Sequence, residues 1–112
     1  DGLIVSTPEY AHGVPGTLKN ALDWLVGTDA LIEKPFALLH ASDRSTHAPR
    51  SLIEILTTMS GLHVAKADVT IDLRRNDQEA DAILLDESNH AKIQASLAIL
   101  SQFILGRGSM RA

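Results

Sequence analysis

The sequence predicts an α/β domain built on a parallel sheet, and three observations support this prediction. Residues 2–5, Gly-Leu-Ile-Val, form a short continuous apolar run, which is typical of a strand covered on both faces. A loop rich in Pro and Gly and then an amphipathic helix follow this run. A second apolar run occupies residues 35–41. Strands that alternate with helices in this way form parallel sheets.

We expect the first helix to begin near Pro15, which suits a first helical turn, and to end at Gly27. Its apolar residues recur three and four positions apart, so that one stripe can pack on the sheet. The stripe consists of Leu18, Ala21, Leu22 and Leu25.

The second apolar run is followed by a loop at 43–48 and by a predicted helix of about a dozen residues that ends near Gly61. The apolar face of this helix carries Leu52, Ile53, Leu56 and Met59. A last strand is predicted at 67–73, where apolar and polar residues alternate. Such alternation indicates one wet face, so this strand is expected at the edge of the sheet.

The carboxyl-terminal part predicts helical structure. The apolar patch 83–85 is expected to form a helical turn packed on the core, and a final helix is expected over 88–105. The stripe of that helix consists of Ile93, Leu97, Leu100 and Ile104. The domain is therefore predicted to cover 1–105, with about three strands and three helices, and the segment 106–112 has the composition of a linker tail.

Composition excludes several classes of function. The net charge of −4 and the absence of a Lys/Arg cluster argue against nucleic-acid binding. No apolar stretch approaches the length needed to span a membrane. The chain has no Cys, which excludes disulfides and thiolate metal sites and fits a cytoplasmic protein.

Two further site types find no support in the residue spacing. The five His residues show no close two-ligand spacing, so a metal site is not expected. Ser6, Ser42 and Asp43 are not accompanied by a Gly-x-Ser-x-Gly elbow, which argues against a serine hydrolase.

The loop that follows the first strand is the main candidate for a binding site. Loops at the carboxyl ends of parallel strands form the crevice in which such sheets bind ligands. Gly13 and Gly16 allow the main chain to approach a flat ring, while Pro8 and Pro15 restrict the loop. Turn chemistry alone also accounts for Pro and Gly here, so a plain strand-to-helix connection is the alternative.

The same loop resembles a known family. The run Thr-Pro-Glu-Tyr at 7–10 is followed by Pro-Gly at 15–16 and by Leu-Lys-Asn-Ala-Leu-Asp-Trp at 18–24. Together these residues resemble the flavin loop of the NADPH-dependent FMN reductases, which have a flavodoxin-like fold with a doubly wound parallel sheet. Lys34-Pro35 and His40-Ala41-Ser42, on either side of the second strand, are also similar to that family.

The resemblance implies which residues contact FMN. The matching flavin-loop positions are Pro8, Glu9, Tyr10, Ala11 and Gly13. Backbone N–H groups of residues 9–13 would bind the polar edge of the flavin ring. His12 lies in the same loop, where its side chain could approach a flavin or quinone oxygen. Ala11 departs from the Asn that often follows Tyr in the family, so any contact of that Asn side chain is lost.

A second candidate element is the loop that follows the second strand. Ser42, Asp43 and Arg44 would flank the same crevice. In the family this loop is often rich in Gly, which is missing here, and Arg44 would instead face a cofactor phosphate or an acidic neighbour. The alternative is a solvated loop in which Ser45 or Thr46 caps the next helix.

The resemblance also predicts the register and the activity. A flavodoxin-like sheet has the strand order 2-1-3-4-5, with a phosphate loop after its first strand. Since the first strand here precedes the flavin loop, we expect a partial domain that begins at the third strand. The implied function is an FMN-dependent oxidoreductase that uses NADPH or NADH to reduce flavin, quinone, azo or similar acceptors, as a homodimer or homotetramer.

Two alternatives from other classes remain. One is a redox carrier or response-regulator-like module, but a receiver domain needs acidic residues where this first strand ends in Ser6-Thr7-Pro8. The other is a truncated or degenerate flavodoxin-like module without independent flavin binding, which acts as a structural or interaction piece.

Overall fold

The sheet is parallel, and its central strand lies second in the chain. The computed structural model describes residues 1–41, 46–71 and 79–111, except for the side chains of 108–111. The strands are β1 (Leu3–Val5), β2 (Pro35–His40), β3 (Leu62–His63) and β4 (Val69–Thr70). β1 pairs with one side of β2, and both β3 and β4 pair with the other side. The four short strands therefore occupy three positions in the sheet.

Helices cover both faces of this sheet. They are α1 (Gly16–Leu25), α2 (His47–Thr58), α3 (Ala80–Leu85) and α4 (Glu87–Arg111), with a short 3-10 turn at Ala65–Ala67. Right-handed crossovers that step in one direction across a parallel sheet place their helices on the same face, as α1 and α2 are here. α4 packs on the opposite face. This three-layer arrangement is the doubly wound α/β architecture that the sequence predicted.

Each face of β2 belongs to its own apolar cluster. Phe36 and Leu38 point to the α1/α2 face, where they pack with Leu22, Leu52 and Leu56. Ala37 points to the opposite face, where its contacts are Val64, Ala67 and Leu100. Alternate side chains of a strand point to opposite faces, so β2 forms the middle of both clusters.

The strand on the far side of β2 is interrupted between β3 and β4. From Phe36 to Leu39 β2 advances three positions, while its partner advances six, from His63 to Val69. The extra residues form the 3-10 turn, and the side chain of Asp68 fills the gap that they leave. Its Oδ1 accepts a hydrogen bond from the Leu38 amide at 2.8 Å, and its Oδ2 lies 2.8 Å from His63 Nε2.

The predicted elements agree with the structure except at several boundaries. α1 begins at Gly16, with Pro15 in the N-cap position, and it ends at Leu25 rather than Gly27. Of the predicted strand 67–73, only Val69–Thr70 is a strand in the described residues, because Ala67 belongs to the 3-10 turn. Positions 72–73 lie outside the described residues.

Two predictions in the carboxyl-terminal part were wrong. The patch 83–85 is helical, but Leu84 and Leu85 are 50% and 82% exposed, so it is not packed in the core. α4 continues past residue 105 to Arg111, so 106–109 are helical rather than a linker. None of the helices in the described ranges combines the length and apolar character needed to cross a bilayer.

Candidate functional site

The segment after β1 folds into a tight turn whose tip is exposed. Tyr10 and Gly13 exchange two backbone hydrogen bonds, with N···O distances of 3.1 and 2.9 Å. Ala11 and His12 between them have φ values of 50° and 61°. Two successive positive φ values define a turn of type I′, which favours Asn and Gly. Neither residue is present at the two central positions, so the turn is held in a conformation that its own sequence disfavours.

The turn is tied to α2 through Glu9. Its Oε1 accepts a hydrogen bond from the Ala48 amide at 2.6 Å. Ala48 is the second residue of α2, and amides in the first turn of a helix lack partners within the helix. Thr46 occupies the N-cap position but makes no side-chain capping bond, so the alternative in which Thr46 caps this helix is not observed. The alternative cap, Ser45, lies outside the described residues.

A ring contact also joins the turn to α2. The imidazoles of His12 and His47 are stacked, with centroids 4.2 Å apart and planes inclined by 15°. His47 is the first residue of α2, and both side chains are exposed. The turn and the residue before it are therefore held against the amino end of α2 at two points.

The turn leaves a limited set of amide donors for a ligand. Of the amides of residues 9–13, which are expected to serve a flavin ring, those of Tyr10 and Gly13 donate hydrogen bonds within the turn itself. The N–H groups of Glu9, Ala11 and His12 donate to no acceptor within 1–41, 46–71 and 79–111. The tip thus presents backbone donors to groups that carry partial negative charge.

Of the other predicted site residues, the described part of the chain contains only Pro8. Pro8 is exposed and precedes Glu9 directly. Ser42, Asp43 and Arg44 lie outside the described residues. Since α2 follows β2 in the chain, the contacts of Glu9 and His12 with α2 place the turn beside the carboxyl ends of β1 and β2. Crevices at this end of a parallel sheet are the usual ligand sites.

The histidines do not form a metal site in the described part of the chain. No group of three or more His, Asp or Glu side chains there could hold a metal ion. The rings of His12 and His47 lie in nearly parallel planes, so their nitrogen lone pairs do not converge. His63 is engaged with Asp68 at the interrupted strand.

Sequence reasoning missed the partners of the turn. It gave no indication that Glu9 contacts the Ala48 amide or that His47 stacks on His12. These pairs are separated by more than thirty positions in the chain, and no local pattern reports such contacts.

Comparisons with known proteins show the family to which this chain is similar. A family model of the NADPH-dependent FMN reductases matches residues 1–85. An NAD(P)H-dependent FMN reductase from Pseudomonas aeruginosa is 32% identical over 109 residues, which cover 93% of this chain and 59% of that protein. A quinone reductase from Escherichia coli is 64% identical over 25 residues, which cover 22% of this chain and 13% of that protein.

The fold has a counterpart among solved structures. The X-ray structure of an oxidoreductase from Corynebacterium diphtheriae aligns with a TM-score of 0.60 and 23% identity, covering 93% of this chain and 56% of that one. This likeness supports the fold, a flavodoxin-like α/β domain. Because the family model matches most of its length, the chain belongs to the NADPH-dependent FMN reductase family. It spans 59% of the Pseudomonas relative and much less of the quinone reductase.

Proposed function

We propose that the protein is an FMN-dependent NAD(P)H oxidoreductase that reduces flavins, quinones, azo compounds or similar small acceptors. The observation that supports this best is the Tyr10–Gly13 turn. It presents amide donors at the carboxyl end of β1, in a segment that the family model matches. The similarity to an FMN reductase and a quinone reductase supports the class of cofactor and acceptor.

The residues of the turn fit the polar edge of FMN. That edge of the flavin ring carries carbonyl oxygens and ring nitrogens that accept hydrogen bonds. The N–H groups of Glu9, Ala11 and His12 are donors without an acceptor in the described ranges, and the tip that carries Ala11 and His12 is exposed. Bound FMN would supply the hydride chemistry. The chain would orient the ring and stabilise the negative charge that develops at its polar edge, through fixed amide dipoles.

The remaining site residues complete the proposal. Pro8 and Gly13 would shape the two ends of the segment that carries the donors. Ser42, Asp43 and Arg44 would flank the ring or the phosphate from the loop that follows β2. His12 would approach a flavin or quinone oxygen with its side chain.

We also propose that the protein is cytoplasmic and works as a homodimer or homotetramer. Trp24 on α1 is 79% exposed, and a large aromatic side chain on the surface suits a contact between subunits. On the same helix Lys19 Nζ lies 2.6 Å from Asp23 Oδ1, a surface pair that contributes little to stability.

A second candidate function is a structural or interaction module that does not bind flavin on its own. An apolar surface beside β1 favours it. Ile4 is 38% exposed there and lines an open groove of about 500 Å³ together with residues of α4. Such a surface suits contact with another protein segment.

Titration of the full chain with FMN, followed by quenching of flavin fluorescence, distinguishes the two functions. We expect micromolar binding and oxidation of NADPH or NADH when a quinone is present. Ala11→Pro removes one donor and cannot adopt a positive φ, so it should weaken FMN binding at least about tenfold. Ala11→Asn keeps the N–H group and tolerates this backbone, so it is the matched control. A full chain that gains no flavin would support the interaction module instead.

A further inference from the structure

The tip of the turn needs support from outside the turn. Ala11 and His12 both have positive φ, which most residues other than Gly and Asn adopt only when their surroundings impose it. The tip is exposed and does not contribute to either apolar cluster in the described ranges. Its conformation must therefore depend on a small number of specific contacts.

The two contacts with α2 act on different parts of the segment. The bond from Ala48 to Glu9 fixes the base of the turn, before its first hydrogen-bonded residue. The stack of His47 on His12 fixes the tip, because His12 is itself one of the two residues with positive φ. Among the described residues, this ring stack is the contact that acts on the tip directly.

His47 has no evident role in the packing of its own helix. It is exposed at the first position of α2, whereas Ala48, Leu52 and Leu56 form the buried face of that helix. The contact that the structure gives its ring is the stack on His12.

We propose that His47 is a positioning residue of the flavin site, which holds the His12 ring and thereby orients the tip amides of Ala11 and His12. This inference rests on the proposed function for the identity of the ligand. Its structural part, the support of the turn by the stack, is independent of any ligand.

FMN affinity of the full chain tests the role in binding. His47→Ala should raise the dissociation constant for FMN about three- to tenfold, the range that loss of a stacked ring pair implies. His47→Phe keeps a ring in place and should retain most of the affinity. His90→Ala is the matched control, since it removes an exposed imidazole from α4, away from the turn. Equal affinities of the wild-type, His47→Ala and His90→Ala proteins would overturn the role in binding.

Amide hydrogen exchange of the flavin-free chain tests the support of the turn. Gly13 donates a hydrogen bond that closes the turn, so its amide reports how often the turn opens. We expect His47→Ala to accelerate this exchange about three- to tenfold, and neither His47→Phe nor His90→Ala to do so. Unchanged exchange in His47→Ala, or equal acceleration in His47→Phe, would overturn the proposal. If the wild-type chain does not bind FMN, the proposed function fails, while the exchange comparison still decides whether His47 supports the turn.

Discussion

Glu9 caps a helix that begins 38 positions further along the chain, because its carboxylate accepts a hydrogen bond of 2.6 Å from the Ala48 amide. A negative charge beside the amino end of a helix is favourable, since the helix dipole is positive there. The contact joins the loop that follows β1 to the helix that follows β2. A residue of the flavin-loop motif thus has a structural task in addition to its place beside the proposed ligand.

Removal of this cap should loosen both the helix and the turn. Glu9→Ala is expected to lower the free energy of unfolding by about 1 kcal/mol, the usual cost of a lost N-cap, and to weaken FMN binding. Glu9→Gln keeps an acceptor oxygen, so its free energy of unfolding should fall by a smaller amount. Urea denaturation and FMN titration measure the two effects. Glu54→Ala, at an exposed position of α2, is the control. A Glu9→Ala protein as stable as Glu54→Ala would contradict the prediction.

The positive φ of Ala11 predicts a stabilising substitution. Asn tolerates the left-handed backbone region better than Ala, so Ala11→Asn should raise the free energy of unfolding by about 0.5–1 kcal/mol. This preference also gives a backbone reason for the Asn that often follows Tyr in the family. Thermal denaturation monitored by circular dichroism checks the prediction. Ala91→Asn, at an exposed position of α4, should instead be destabilising because Asn is a poor helix former. Destabilisation by both substitutions would contradict the assigned turn.

Asp68 is predicted to be the most sensitive polar residue of the sheet edge. Asp68→Ala leaves the buried Leu38 amide without its acceptor and His63 without its partner. The free energy of unfolding should therefore fall by about 2–3 kcal/mol. Asp68→Asn retains an oxygen for the Leu38 amide, so it should lower the free energy of unfolding less than Asp68→Ala does. Chemical denaturation measures both variants, with the exposed Asp29→Ala as control. If Asp68→Ala behaved like Asp29→Ala, the carboxylate would not be filling the gap in the strand.

We expect copies of the chain to associate through the exposed outer edge of β1. In the described ranges β1 pairs with β2 alone, and the groove of about 500 Å³ beside it is open. Exposed strand edges with apolar side chains recruit further strands, whereas Lys on an edge prevents this. Light scattering should therefore show concentration-dependent association of the wild-type chain and a shift toward monomer in Ile4→Lys. Leu85→Lys, on exposed α3, should not produce this shift. Equal masses for the wild-type protein and Ile4→Lys would refute the prediction.

Apolar patterns predicted most of the fold. The run at 35–41 and the period of the helix stripes identified β2, α2 and most of α4, because these patterns follow directly from burial. The split between β3 and β4 has no such signal, since it depends on how Asp68 meets Leu38 across the sheet. The extension of α4 past Gly106 is accompanied by another distant contact. Arg107 donates a hydrogen bond of 2.7 Å to the Glu33 carbonyl oxygen and anchors the helix there.

The candidate site was predicted only in part, because the contacts that support it also join distant parts of the chain. The flavin-loop motif located the segment from Pro8 to Gly13, and its Pro and Gly residues indicated a turn. The type I′ conformation was not foreseen, because Ala11 and His12 are not the residues that favour it. Its supports, Ala48 and His47, are close to it only in the folded chain.

Because β2 contributes to both apolar clusters, its disruption affects the whole domain. Phe36 and Leu38 serve one apolar cluster and Ala37 the other, so the two clusters share a single stretch of main chain. Damage confined to an outer strand leaves the opposite layer intact, whereas a break within 36–38 removes support from both layers at once. These three consecutive residues therefore couple the two layers of the domain.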